Sequence, residues 1–266
     1  MLTAVVLCGC STPYQLENDY IYRQDWGRGD VKWKLVWEDE FEEEDLDTLK
    51  WSKVPPAGSS FGRYMSTDED CFRLYDGKLF LRGIINKTET KDQRRYHTGG
   101  IQSKGKFAFQ YGRVEVRARI EKAKGAWPAI WMLSELKKYG DYPNNGEIDI
   151  MQYVNFKDHI WQSVHSHNVL RSDRATDDEF YARVPADVAR YNVYALEWYP
   201  DRLEFYLNGK NTFTYKKKEG ALPSEWPYDQ PFHLLINQQL GGYWAGAVNS
   251  DHLPANFVID WVRVYQ

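Results

Sequence analysis

Near the middle of the chain, Gly146-Glu147-Ile148-Asp149-Ile150-Met151-Gln152 places two carboxylates and one carboxamide within a single short run. From Glu147 to Ile150 acid and apolar residues alternate, which is the period of a half-buried β-strand. Glu147 and Asp149 therefore share a face, where like charges repel unless a polar cleft receives them. Strict alternation would turn residue 152 to the other face. One extra residue in a β-bulge around Ile150-Met151 returns it to the acidic side. Glycoside hydrolysis with retention needs two carboxyl groups about 5–5.5 Å apart, one as nucleophile and one as acid/base. Two long side chains on one bulged strand converge to that separation. The second position is held here by Gln152, whose amide has no proton to lend at a useful pKa.

The elements that must carry this run read as short strands separated by turn residues, with almost no helix-period pattern from residue 33 onward. Leu79-Phe80-Leu81 with Ile84-Ile85 is one apolar strand region. Gly112 to Ile120 alternates, with Val114, Val116, Ala118 and Ile120 inward and Arg113, Glu115, Arg117 and Arg119 outward. Val193 to Trp198 and Arg202 to Leu207 are expected to pair across Pro200-Asp201. Asn208-Gly209 is the strongest hairpin signal, since both residues tolerate positive φ. Phe232 to Asn237 and Phe257 to Tyr265 complete the set. The pattern predicts an all-β, two-sheet antiparallel jelly-roll sandwich with a concave cleft, one domain over 33–266. The loops Pro55 to Asp70 and Val169 to Asp178 are long enough to form functional rims.

Over 266 residues, 42% are hydrophobic and 16% aromatic, including 11 Trp and 19 Tyr, a surplus that fills a sandwich core or stacks on sugar rings. A formal net charge of −4 supplies no basic field for a polyanion, which excludes nucleic acid as an expected partner. No run approaches the ~20 apolar residues of a membrane helix. Leu2 to Leu7, followed by Cys8-Gly9-Cys10-Ser11, is similar to the end of a bacterial lipoprotein signal. On that reading 1–10 is a truncated signal, Cys10 is the lipidated residue and 11–32 is a tether. The expected location is the bacterial cell envelope, as an outer-membrane lipoprotein whose membrane contact is the anchor alone. Cys71 then remains without a disulfide partner. A monomer needing no cofactor is expected.

The active-site run resembles that of glycoside hydrolase family 16, whose pattern is Glu-Ile-Asp-Ile-Met-Glu. Gly125-Ala126-Trp127-Pro128-Ala129-Ile130-Trp131-Met132-Leu133, Gly105-Lys106-Phe107 through Tyr111-Gly112-Arg113, and Ile259-Asp260-Trp261-Val262-Arg263-Val264-Tyr265 agree with it. The likeness extends over nearly all of 33–266 and is nearest the laminarinase-like branch of gut Bacteroidetes. It implies endo-acting, retaining hydrolysis of a β-linked polysaccharide or host glycan. Glu147 would be the nucleophile, Asp149 would orient and tune it, and residue 152 would be the acid/base. Trp127 and Trp131, four apart, would share a cleft face; Tyr142, His165, Gln238, Trp244, Arg63 and Met65 are the further substrate-binding candidates. His165 and His167 are expected to share a strand face, but two His without a third ligand make a poor zinc site. A structural calcium is implied on the outer face, from Glu40, the Gly77 carbonyl and Asp260.

Three departures shape the expectation. Gln152 replaces the family Glu, Tyr142 stands before Pro143 where laminarinases often have Trp, and Arg63-Tyr64-Met65-Ser66 replaces an Asn-Glu-Leu-Gln-type segment. The last two tilt the substrate toward galactosidic bonds in lactosamine-containing, mucin-type O-glycans. Laminarin or mixed-linkage glucan is the alternative. Losing acid/base help costs typically ~10²–10⁴-fold in rate, while a nearly isosteric amide leaves binding intact, as in a substrate trap. A natural glycan-binding surface protein is the reading from another class, and transglycosylation shares the same covalent intermediate.

Overall fold

The computed structural model describes residues 16–17, 20–25, 29–59, 61–87, 92–171 and 179–266. The expected signal and Cys10 lie outside the described residues. Two antiparallel sheets form the jelly-roll sandwich that the strand pattern predicts. The sheet that carries the acidic run has seven strands, in the order Tyr181–Pro185, His159–His165, Glu147–Gln152, Ala126–Ser134, Phe232–Leu240, Gly100–Gln102 and Ser52–Lys53. In the second sheet Ala255–Tyr265 is central, flanked along its length by Gly112–Ile120. On its other side Leu79–Ile85 pairs the first half and Gly29–Asp39 the second. Within the segment read as a tether, Tyr20–Asp25 pairs with Gly29–Lys34, so this backbone extends the second sheet.

The core lies between the sheets. Ile130, Met132, Ile148, Ile150, Met151 and Val164 of one sheet meet Val114, Val116, Leu196, Leu203 and Phe257 of the other. Burying each such side chain contributes about 1.5–3 kcal/mol, which anchors the acidic strand from behind. The two expected hairpins are present. Tyr199 faces Arg202, and Leu207 faces Lys210 across Asn208 (φ 49°) and Gly209 (φ 79°), the twist a two-residue turn needs.

One strand departs from its pattern. Val114, Val116, Ala118 and Ile120 point inward as expected, but Arg113 and Glu115 are buried too rather than facing solvent. The Arg113 guanidinium donates to Glu115 at 2.9 Å and to Glu197 at 2.6 Å, and lies over the Tyr206 ring. A fully paired arginine tolerates burial that a lone one would not.

Candidate active site

Gly146 starts the acidic strand with φ 77°, and a Cβ there would come within 2.7 Å of Pro227 and 2.9 Å of the Tyr228 ring. The strand then pairs Glu147 with Leu133 and His165, and Asp149 with Trp131 and Ser163. Register slips next. Met151 faces Ile130 and Gln152 faces Ala129, leaving Ile150 without an opposite residue on that side. On the other side Ile150 and Met151 together oppose the space of one residue between Ser163 and Trp161. This is the expected bulge: both bulge residues are buried in the core, and Gln152 emerges on the face of Glu147 and Asp149.

Glu147 and Gln152 line one cavity of about 380 Å³ with Trp127, Trp131, Tyr142 and Asn237. Trp131 is pinned by a 2.7 Å hydrogen bond from its indole to Asn237 and by the edge of Phe61. Trp127, Trp161 and Trp244 form a collar beside Gln152, with ring centroids 5.2 and 4.9 Å apart in edge-to-face contacts. Trp161 escaped the sequence reading, although its spacing from His165 at period two carried the signal.

Asp149 is fully buried and is held through one oxygen. Ser163 donates to its Oδ2 at 2.7 Å, and His165 Nε2 lies 3.1 Å from the same atom. Burial alone would lower the imidazole, but the Asp149 hydrogen bond and the charges of Asp149 and Glu147 lift it to about 9. Burial and the Asp149 charge push Glu147 well above the ordinary carboxylate range, against His165 and a hydrogen bond from Tyr142. Part of Glu147 still reaches the cleft surface, so substrate can meet it. Burial and the Glu147 charge raise the Tyr142 hydroxyl, which keeps it a donor. Glu147, Asp149 and His165 each offer an atom within 4.8 Å of the others. The contacts of Ser163 and His165 with Asp149 Oδ2 make the cluster a hydrogen-bonded acid–base network.

Other candidates divide. Arg63 lines a neighbouring cavity of about 660 Å³ with Tyr64, Tyr96 and the 241–248 loop, and Ser59 borders both this cavity and the central one. Met65 is fully buried against Thr98 and Gly100, so it cannot touch a glycan as expected. Gln238 is also fully buried and faces the core side, because Pro128 is its register partner; Asn237 and Gln239 occupy the cleft face instead. His167 opens a short helix, His167–Arg171, off the strand face it was expected to share. The calcium donors do not fit: Glu40 accepts two hydrogen bonds from Arg263, and Asp260 pairs with Arg117. Six to eight oxygens are needed for that ion, and here two of the three named donors are engaged by arginines.

Residues 75–263 match the family model for glycosyl hydrolases family 16. The chain belongs to glycosyl hydrolase family 16. Among family 16 relatives, it is 35% identical over 236 residues to a keratan-sulfate endo-1,4-beta-galactosidase of Sphingobacterium multivorum, covering 88% of this chain and 55% of that protein. It thus spans about half the length of that relative. It is 34% identical over 252 residues to a beta-glucanase of Rhodothermus marinus, covering 88% of this chain and 85% of that one. The family 16 fold superposes on the laminarinase from Flavobacterium sp. UMI-01 with a TM-score of 0.77 at 31% identity, covering 88% of this chain and all (100%) of that one.

Proposed function

We propose that this family 16 chain has the architecture of a retaining, endo-acting β-glycosidase whose acid/base has been replaced by an amide. Glu147 attacks the anomeric carbon, and Asp149 orients it while accepting from Ser163 and His165. Gln152 occupies the acid/base place, where it hydrogen-bonds the glycosidic region but neither protonates the leaving oxygen nor deprotonates water. The observation that carries this reading is that Glu147 and Gln152, brought to one face by the bulge, line the same cavity.

Substrate choice leans to an endo-β-1,4-galactosidase on lactosamine-containing, mucin-type O-glycan chains. The support is the 35% identity to the keratan-sulfate endo-β-galactosidase, with Tyr142 and the Arg63 loop at the cleft. The glucan reading is supported by likeness to laminarinases and to a non-specific endo-beta-1,3(4)-glucanase at a TM-score of 0.79. We place the protein on the cell envelope through Cys10, as a monomer. A calcium ion at Glu40 and Asp260 would have to share those carboxylates with Arg263 and Arg117.

The test is Gln152→Glu, assayed on laminarin, mixed-linkage glucan and lactosamine oligosaccharides. The substituted enzyme should cut one of them at least ~10²-fold faster than the parent, which binds it with similar affinity. If it cuts nothing the parent binds, residue 152 is not the acid/base. An aryl glycoside with a good leaving group separates enzyme from lectin, because only the enzyme accumulates a glycosyl adduct on Glu147.

A further inference from the structure

Gln152 stands at the meeting point of two cavities. On one side it lines the central cavity of about 380 Å³ with Glu147. On the other it lines a cavity of about 330 Å³ with Trp161 and Trp244, a size within the range of pockets that hold a small ligand. The acid/base position of a retaining site contacts the oxygen that joins the reacting sugar to its leaving group. The cavity beyond Gln152 is therefore where a leaving group departs and, by microscopic reversibility, where an acceptor enters. Its aromatic wall is built from separate elements. Trp161 is the register partner of Gln152 on the next strand, and Trp244 comes from the short helix Gly242–Ala245, held between Gly241 (φ 69°) and Gly246 (φ 74°). Their ring centroids lie 4.9 Å apart at 74°, so the edge of one braces the face of the other. Trp161 is only partly buried and Trp244 is 38% exposed, which leaves ring surface for a sugar.

The amide at 152 sorts acceptors by acidity. Water, with a pKa of about 15.7, needs a base in the transition state and finds none, and a sugar hydroxyl meets the same obstacle. A thiol ionises near about 8.5 without help and is intrinsically very nucleophilic. We propose that this chain has a second activity, transfer of a glycosyl group from an activated donor to a sugar thiol seated on Trp161 and Trp244, forming a thioglycoside. The proposal rests on the glycosidase reading. In the first step a Glu147 carboxylate oxygen bonds to the anomeric carbon as the bond to an aryl oxygen breaks. The aryl oxide leaves with the electron pair and needs no proton. The acceptor thiol gives its proton to the buffer. Its thiolate sulfur then bonds to the anomeric carbon as the bond to Glu147 breaks, which returns the carboxylate. Two inversions keep the β configuration, and nothing is oxidised or reduced. Burial and the Asp149 charge hold a proton on Glu147, so both nucleophiles gain as pH rises from 7 to 8.5.

The chain as it exists serves for the test. Dinitrophenyl β-glycosides of N-acetylglucosaminyl-galactose and of laminaribiose supply donors for the two substrate readings. Each is mixed with N-acetylglucosamine or glucose carrying a thiol in place of the accepting hydroxyl, with the unmodified sugar, or with mercaptoethanol. Dinitrophenolate release should show a burst and then a steady rate that the thio-sugar raises saturably by about tenfold or more, with a β-thioglycoside as product. The unmodified sugar should raise that rate less than about twofold. Mercaptoethanol at equal concentration should act more slowly and without saturation, since it has no ring to lie on the tryptophans. Trp161→Ala and Trp244→Ala should each raise the acceptor KM about fivefold or more. Gln152→Glu should pass the adduct to water instead. An adduct on Glu147 that decays no faster with the thio-sugar than with mercaptoethanol overturns the proposal and leaves the glycosidase reading standing. So does an acceptor KM that neither tryptophan variant moves. Failure of both donors to form an adduct overturns both.

Discussion

The pairing of His165 with Asp149 ties the stability of the active-site strand to pH. His165 is ordinarily half-protonated near 6.5, and in the fold it stays protonated up to about 9 because Asp149 and Glu147 outweigh the cost of burial. A raised pKa means that the native state holds a proton the unfolded chain releases. Stability from this pair is therefore complete below pH 6.5 and is lost as pH rises through 9. At about 1.36 kcal/mol per pKa unit the full effect is about 3 kcal/mol, a large share of the ~5–15 kcal/mol that holds a domain folded. Glu147 acts with the same sign, since its raised pKa also favours the protonated native form, with a window opening above the ordinary 4.5. Urea unfolding at pH 6, 7.5 and 9.5 on the parent and on His165→Gln isolates the imidazole. The parent should lose about 3 kcal/mol more than the variant between the outer two values. Parallel stability curves for the two proteins would refute the reasoning, because the imidazole would then be titrating as it does in the unfolded chain.

Two further outcomes follow from packing. Gly146→Ala puts a methyl against Pro227 and Tyr228 at a φ of 77°, so it should cost about 1–3 kcal/mol and weaken glycan binding by shifting Glu147; denaturant unfolding and titration measure both. Arg113→Ala leaves Glu115 and Glu197 buried without their cation and should cost about 3–5 kcal/mol by the same unfolding measurement.

The bulge was legible in the sequence because polarity and period conflict there: Glu147 and Asp149 need one face, and Gln152 joins them only if a residue is skipped. The hairpin at Asn208-Gly209 was legible for a local reason, the positive φ both residues accept. Gln238 was misplaced because Asn237, Gln238 and Gln239 are all polar, which erases the alternation that tells one face from the other. Only pairing with Pro128 in the neighbouring strand fixes its direction. Met65 was misread since its burial depends on Thr98 and Gly100, more than thirty residues away. Arg113 looked solvent-facing because one of the two carboxylates that neutralise it, Glu197, lies 84 residues further along the chain, on the strand paired beside it.

The unmatched residue at Ile150 behaves like a frameshift written into a folded chain. Pair the same residues one for one and the strand regains alternation and an unbroken hydrogen-bond ladder, while Met151 turns to the cleft and Gln152 is carried into the apolar interior. That more regular pairing of this sequence could never act on a sugar, whether residue 152 is an amide or an acid. Removing the extra residue restores the same ladder and leaves Gln152 in the cleft, facing Ala129. The slip is set by how many residues the strand contains, so a substitution at 152 can silence or restore the reacting group without disturbing its position.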